Sequence, residues 1–325
     1  MPHRILVTGG AGYIGSNTTL QLLDAGYEVV VADNLSRGHE AAVPPGLLRV
    51  VDMHDTERLF NILQAEQIDA VIHFAAYIAV GESMKLPEVY FYNNVAGSLS
   101  LIRAMLRADV KKIVFSSTAA AYGMPSRSPI PESEPSAPIN AYGESKVMVE
   151  RLLDWFDQLH QLRSVRLRYF NASGADPACR AGEDHEPDTH LIPLLFRAIE
   201  TGQPVTLFGD DYPTPDGTCI RDYIHVTDLA QAHISALESL FAGGPSATYN
   251  VGTGAGYSVR EVLDAVEAVT GRKVPHVIGP RREGDPPALV ADSTRLRTEL
   301  GWAPRHSDLK TIMATAWAWA QRAHK

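Results

Sequence analysis

The chain has only two cysteines, Cys179 and Cys219, in 325 residues, so neither a disulfide framework nor a thiolate metal site is suggested. It has no arginine-rich or lysine-rich run, and its formal net charge is −9, which argues against a general nucleic-acid binder. It also lacks a membrane-length apolar stretch. The longest, IDAVIHFAAYIAV, is shorter than the roughly 20 residues a spanning helix needs and contains His73. The chain enters directly into the strand-like RILVTGG with no apolar signal segment ahead of it, and a soluble, cytoplasmic protein with no membrane partner is expected. Its 12 histidines show no cysteine or carboxylate partner at metal-ligand spacing, so no metal site is expected.

What the chain does have is alternation. The apolar, β-rich runs RILVT, YEVVVAD, IDAVIHFAA, KKIVFSST and SVRLRYFN are separated by longer helical patterns such as NTTLQLLDAG. Unbroken apolar runs between amphipathic stretches indicate a parallel sheet covered by helices on both faces, a doubly wound α/β (Rossmann) fold. After Asn171 the texture changes to ASGADPACRAGEDHEPDTH, which is turn and loop chemistry. A dinucleotide-binding domain over 1–171 and a smaller α/β substrate domain over 172–325 are therefore expected. The segment 223–252, with a helix and a strand resembling those of the first domain, is expected to return to it. The cleft between two such lobes is a natural binding site.

Directly after the first run comes TGGAGYIGSN, in which Gly10, Gly12 and Gly15 satisfy G-x-G-x-x-G and Gly9, Gly12 and Gly15 the looser G-x-x-G-x-x-G. Between strand and helix, missing side chains let backbone amides approach a pyrophosphate at the helix N-terminus. Asp33 closes the second run, at the distance of about twenty residues where a carboxylate can bind the adenosine ribose hydroxyls. Its charge would repel a ribose phosphate, which favours NAD over NADP, although Arg37 is the type of residue that could accept that phosphate. Asp52, closing LLRVVD, can hydrogen-bond the adenine or stand as a plain surface carboxylate.

Further on, Thr118 ends FSST, and Tyr142 and Lys146 stand in YGESK at the start of a helical pattern. A tyrosine with an unperturbed pKa of about 10 is a poor base near neutrality. A lysine four residues on shares its helical face, where its charge can favour the phenolate. Ser117 is an alternative hydroxyl relay.

The segments TGGAGYIGSN, DNLSRG, VIHFAAYIAVGES, FSSTAAAYG, YGESK, LRYFNASGA, LFGDDYPTPDGTCIRDYIHV and PRREGDPP together resemble the extended short-chain dehydrogenase/reductase family, and within it the UDP-galactose 4-epimerases. The resemblance covers nearly the whole chain. It implies reversible oxidation and reduction at C4 of a UDP-hexose on a retained NAD, with Tyr142, Lys146 and Thr118 catalytic. Threonine stands where serine is usual; both have a hydroxyl that can relay a proton. Around NAD the resemblance places Gly9, Gly12, Tyr13, Ile14, Gly15, Asp33, Asn34, Asp52, Met53, Phe74, Ala75, Ala76, Asn93, Ser116 and Tyr169, with Tyr142 and Lys146. Around the UDP-sugar it places Asn171, His190, Leu191, Leu207, Phe208, Arg221, Tyr223, Arg282, Asp285 and Leu289, with Thr118 and Tyr142. Arg221 and Arg282 suit the diphosphate, because a guanidinium binds it bidentately; Arg281 adjoins Arg282, and in an extended segment only one of them can point inward.

Two departures and one exclusion accompany the resemblance. Ile78 stands where some members have a lysine that touches the cofactor. Leu289 stands at a position that gates the sugar pocket, where aromatic residues narrow it and small ones admit N-acetyl sugars, so activity on UDP-N-acetylglucosamine is left open; UDP-xylose and UDP-glucuronate, taken by closer relatives, are further alternative substrates. Ala119 and Ala120 occupy the places of the acid/base pair of nucleotide-sugar dehydratases and cannot transfer protons. The resemblance also implies a homodimer through a four-helix arrangement of the helix after Asn94 and the helix carrying Tyr142.

Overall fold

The computed structural model describes residues 2–185, 188, 190–282 and 285–323. The first run becomes β1 (Arg4–Thr8), followed by α1 (Tyr13–Asp24), β2 (Glu28–Asp33), β3 (Leu48–Val50), α2 (Thr56–Ala65) and β4 (Ala70–His73). Two short turns, α3 (Val80–Ser83) and α4 (Pro87–Tyr90), lead through a wide π turn (Phe91–Ala96) into α5 (Gly97–Arg107), β5 (Lys112–Thr118), α6 (Ala141–His160) and β6 (Arg163–Tyr169). Then come β7 (Asn171–Ser173), α7 (Leu191–Thr201), β8 (Val205–Phe208), β9 (Ile220–Arg221), β10 (Tyr223–His225), α8 (Val226–Phe241) and β11 (Ala247–Val251). The chain continues with β12 (Tyr257–Ser258), α9 (Val259–Thr270), β13 (His276–Gly279), β14 (Ala288–Leu289), α10 (Thr294–Leu300) and α11 (Leu309–Ala323).

Seven strands form one sheet in the order β11-β6-β5-β4-β1-β2-β3, and every pairing in it is parallel. Strand side chains alternate between faces, so a sheet buried on both sides needs apolar residues at every position. Ile5, Val7, Val29, Val31 and Ile72 enter one core cluster, and Leu6, Val30, Ala32 and Val71 enter the other. Each fully buried aliphatic side chain contributes roughly 1.5–3 kcal/mol of transfer free energy. The doubly wound reading of the sequence holds, and β11 lies parallel beside β6 at the sheet's edge.

Strand order reverses at β1: β2 and β3 extend the sheet one way, β4, β5 and β6 the other. Ligands of open α/β sheets bind in the crevice beyond the carboxyl ends of the strands at that point. The loops after β1 and β4 meet there. A third core cluster, built from α7, α9, α11, β8 and Tyr223, stands apart from the sheet's two faces.

The start of α6 is fixed by local chemistry. Asn140 accepts a hydrogen bond from the Gly143 amide at 2.8 Å, capping the helix immediately before Tyr142. A Cβ on Gly143 would lie 2.6 Å from the Ala120 carbonyl oxygen, so only glycine lets this turn of α6 approach the segment after β5. Asn140 and Gly143 therefore set where Tyr142 stands relative to Thr118.

Candidate active site

The glycine loop is built by close approach. A Cβ at Gly15 would lie 2.2 Å from the Gly9 carbonyl oxygen, and one at Gly9, whose φ is +70°, would lie 2.5 Å from the Ala75 nitrogen. Gly12 differs: a Cβ there would meet only the Gly9 oxygen, at 3.5 Å, so open space faces it. A groove follows, lined by Gly9, Gly12, Asp33, Asn34, Ser36, Gly38, Val51, Met53, Phe74, Ala75, Ala76 and Asn93. Asp33 accepts the Ala11 amide at 3.0 Å and the Leu35 amide at 2.8 Å, tying β2 to the glycine loop. Asp52 accepts from the Asn34 side chain and from His54, which ties the outer groove together. Bare backbone at Gly12 and a carboxylate at Asp33 fit the pyrophosphate and the ribose of a dinucleotide.

Tyr13 and Ile14 begin α1, and the Tyr13 hydroxyl donates to the Gly174 carbonyl at 2.5 Å, binding the glycine loop to the segment after β7. Asn93 lies in the π turn, where it donates to the Asn94 side chain at 2.9 Å. Asn94, absent from the sequence expectations, is buried: it pairs with both main-chain groups of Tyr77 and donates to Ser145 on α6. Single π turns inside helices recur at functional sites.

β5 and β6 pair in register, setting Thr118 beside Tyr169. Ser116 and Thr118 share one face of β5. The Ser116 hydroxyl bonds the Tyr169 hydroxyl at 2.7 Å, and Thr118, whose hydroxyl accepts the Ala120 amide at 3.1 Å, favours the Tyr142 phenolate. Ser117 points to the other face and donates to Glu150 at 2.5 Å, which removes it as a relay. The Lys146 ammonium donates to the Ser116 carbonyl at 2.9 Å, over the Phe115 ring.

The electrostatics correct one expectation. Burial raises the Tyr142 phenol above its usual pKa, and the group that pulls it back is Thr118. Lys146 is not among the causes; it sits instead at the Ser116 carbonyl, where burial brings its own pKa down to about 7 against an upward pull from Glu150. Stepping four residues along α6 puts Lys146 on the Tyr142 face, but its long stem ends beneath β5. His73, closing β4, is held neutral, at about 3, by burial and by Lys146, and it bridges Thr8 at 2.6 Å and Ser98 at 2.8 Å.

Several expected substrate residues converge on the small sheet of β12, β9 and β14, where Leu289 pairs with Arg221. Arg221 is buried and forms an ion pair with Asp285, so these two expected ligands hold one another. Arg281 turns to Asp211, and the Arg282 guanidinium lies 4.1 Å from the centroid of the exposed Phe208 ring. The two arginines take different partners, although 281–282 lie outside any strand and the Arg282 carbonyl accepts the Asp285 amide at 3.3 Å. Tyr223 is buried and pairs in register with Asn171. Leu207 departs from expectation: its side chain packs in the third core cluster, so only its main chain is left to a ligand. Leu191 begins α7 and packs against the same cluster, with His190 as the residue before it.

Residues 5–252 match the model of the NAD-dependent epimerase/dehydratase family. The chain belongs to that family. It is 51% identical to a UDP-glucose 4-epimerase of Halalkalibacterium halodurans, over 97% of this chain and 95% of that one. Among solved structures it resembles the UDP-glucose 4-epimerase of Brucella ovis in complex with NAD, at 47% identity and a TM-score of 0.95 over 98% of both chains. The enzyme of that name from Bifidobacterium longum, in complex with NAD+ and UDP, is 38% identical at a TM-score of 0.91 over 98% of both chains.

Family membership does not by itself reveal two other clusters. Glu150, one turn beyond Lys146, forms a buried ion pair with Arg168; the spacing of Tyr142, Lys146 and Glu150 along one helical face was the available signal. Glu183, His185 and His190 bring one possible ligand atom each to within 4.8 Å of one another, a grouping that sequence spacing did not suggest. Both histidines bond one carboxylate oxygen of Glu183 through Nδ1, His185 at 3.2 Å, so the cluster is accounted for as a bridged ion pair.

Burial alone would raise the Glu183 carboxyl, but the two histidine bonds outweigh it and hold the group down at about 2. Burial would lower His190, and Glu183 outweighs that and raises it. Glu183 therefore contributes stability above its ordinary value of 4.5 that is lost as pH falls toward 2. His190 contributes stability below its ordinary 6.5 that is lost as pH rises through its raised value. The melting-temperature loss caused by Glu183→Gln should accordingly be greatest between pH 4.5 and 6.5 and shrink as pH rises through the raised value of His190. A loss independent of pH would contradict this pairing.

Proposed function

We propose that the protein is a UDP-glucose 4-epimerase that interconverts UDP-glucose and UDP-galactose through a 4-keto sugar on a retained NAD. The observation that carries this reading is Thr118 at the end of β5, which favours the Tyr142 phenolate, together with a dinucleotide groove and alanines at 119 and 120. One base with its relay can take a proton from C4 and return it; nothing next to Thr118 can drive elimination.

Bound NAD supplies the hydride acceptor and donor. Tyr142 takes the C4 hydroxyl proton, directly or through Thr118, as the C4 hydride leaves, and the carbon becomes a ketone. The ketone would turn over in the pocket, and Tyr142 would give the proton back once C4 is reduced on its other face. Thr118 is the chain's own means of lowering the Tyr142 pKa. Lys146 is assigned to the nicotinamide ribose, Gly9, Gly12, Tyr13, Ile14 and Gly15 to the pyrophosphate, and Asp33 to the adenosine ribose. Arg37 bonds Glu82 through Nη2. Denaturing the purified protein should release NAD; release of NADP would overturn the assignment of Asp33.

For the sugar to turn over, the UDP must be held more firmly than the hexose. Arg221, Arg282 and Asn171 are assigned to the diphosphate, Phe208 and Tyr223 to the nucleotide pocket, and Asp285 to the uridine ribose. Because Asp285 already bonds Arg221, it also orients that guanidinium. Leu289, partly exposed and in register with Arg221, is assigned as the gate of the sugar pocket. Leu289→Gly should raise kcat/KM for UDP-N-acetylglucosamine relative to UDP-glucose by roughly tenfold, one methylene of fit being worth about 1–3 kcal/mol. An unchanged ratio would remove Leu289 from the gate.

The division into units at 1–171 with 223–252, and at 172–325, is supported by the place of β11 in the large sheet and by the separate core of α7, α9 and α11. Among the described residues no helix is long and apolar enough to cross a membrane, in keeping with the cytoplasmic placement we propose. A homodimer is also proposed, with one change to the expected surface. The apolar stripe of α5, with Leu101, Ile102 and Met105, is buried in its own core. Met148, Trp155 and Leu159 on α6 and Val89 and Tyr92 before α5 are exposed instead. Trp155→Glu should convert a dimer to a monomer by light scattering at micromolar concentration, and a wild-type monomer would contradict the proposal.

A further inference from the structure

The glycine loop lies between two others, because β1 lies between β4 and β2 in the sheet. On the β2 side, residues 36–39 press onto it: a Cβ on Gly38 would lie 2.8 Å from Ala11, and the His39 amide donates to the Ala11 carbonyl at 3.0 Å. On the β4 side, Ala75 presses onto Gly9. Arg37 leaves the first of these segments and reaches the extension of the second. Its Nη2 donates to both carboxylate oxygens of Glu82, at 2.9 and 3.1 Å, and its guanidinium lies 4.9 Å from the centroid of the Tyr77 ring. The contact therefore passes from the β2 loop to the β4 loop, across the end of β1 where Gly12 leaves open space.

The far end of this bridge is anchored. Glu82 Oε2 and the Ala79 carbonyl each lie 2.8 Å from the Tyr90 hydroxyl and share its single proton. Tyr90 is fully buried. The near end also faces the loop: Arg37 lines a second cleft, adjoining the groove at Gly12, together with Ala11, Tyr13 and Ser16 on one side and His39 and Trp319 on the other. Nη1 and Nε make no hydrogen bond among the described residues, so two donors remain for an anion. A guanidinium held by a carboxylate at one nitrogen and lying over an aromatic ring is more pre-organised than a free surface arginine.

We propose that Arg37 and Glu82 form a latch across the glycine loop that closes over the pyrophosphate of the bound dinucleotide and sets how long it stays. The proposal rests on the assignment of this groove to NAD. Its consequence is functional: a reaction that returns the hydride to the same substrate gains from a cofactor that does not leave between oxidation and reduction. Glu82 is the discriminating residue. If it serves as the anchor of a latch, removing its charge frees Arg37 and speeds cofactor loss. If it only neutralises Arg37, removing it exposes the cation and slows cofactor loss.

The test is the rate at which NAD bound to the purified holoenzyme exchanges with excess labelled NAD, in wild type, Arg37→Met, Glu82→Gln and the double variant. Each single change should raise the rate roughly five- to tenfold, and the double variant should be no faster than the faster single one, because both break one contact. An unchanged or slower rate in Glu82→Gln would overturn the latch. Should Glu82→Gln fail to fold through its contact with Tyr90, an unchanged rate in Arg37→Met would do the same. A wild-type protein that holds no NAD would instead sink the assignment of the groove, and the two failures are distinguishable.

Discussion

Replacing Tyr142 with phenylalanine is expected to lower kcat for UDP-galactose by about 10²–10⁴-fold, the usual worth of a positioned acid/base group. The substitution deletes one hydroxyl from a buried ring and leaves the ring's packing in place, so the protein should fold, retain NAD and bind UDP with near-normal affinity. That combination matters. A fall in kcat with KM little changed is the signature of an interaction made in the transition state. Thr118→Val is the companion change, removing the group that lowers the Tyr142 pKa. The acid limb of its pH–rate profile should move to higher pH, because the phenol must lose its proton to act. Turnover unaffected by Tyr142→Phe, measured by the appearance of UDP-glucose, would assign the base to another residue.

The second large effect is expected at Gly12. Valine there would place its side chain in the open space facing the loop, where the pyrophosphate is assigned, while its Cβ meets only one protein atom, at 3.5 Å. NAD affinity should fall by up to about a hundredfold, the equivalent of about 1–3 kcal/mol of overpacking, with the melting temperature of the NAD-free protein nearly unchanged. Gly15→Val should behave in the opposite way. Its Cβ would lie 2.2 Å from the Gly9 oxygen, so the loop itself must move and the NAD-free protein should lose stability. Calorimetry for NAD binding and melting of the NAD-free protein separate the two; equal losses of stability would contradict the distinction between a ligand-facing glycine and a packing one.

The parts of the site legible in the sequence are those governed by local sterics and short spacings. A glycine loop between strand and helix has one geometry, and Asp33 at the end of the next strand must face it. Tyr142 and Thr118 could be paired because family resemblance joined two segments that spacing alone leaves apart. Side-chain direction was less legible. Lys146 shares a helical face with Tyr142, yet its stem carries the charge to the Ser116 carbonyl, and no periodicity encodes where a four-carbon stem ends. Ser116 and Ser117 were separable in principle, since alternation along β5 sends them to opposite faces.

Contacts between distant segments were least legible. Arg221 and Asp285 were each expected on the ligand, and each was sound as a residue type; their pairing with one another needs the register of β9 against β14. The Glu183, His185 and His190 cluster and the Arg37–Glu82 bridge are likewise products of folding. Helix α5 shows a related limit. Apolar residues at helical spacing describe a buried face, and the sequence does not say whether the chain's own sheet or a second copy covers it. The sheet covers it here, and the exposed apolar residues lie on α6 and in the segment before α5.

The most direct test of the account is to incubate the purified protein with UDP-galactose, without added nucleotide, and to follow the sugar by nuclear magnetic resonance and reduced dinucleotide by absorbance. The account predicts conversion to an equilibrium mixture of UDP-galactose and UDP-glucose with no net accumulation of NADH. UDP-galactose left unchanged by protein that carries NAD, or NADH released in proportion to sugar consumed, would contradict it.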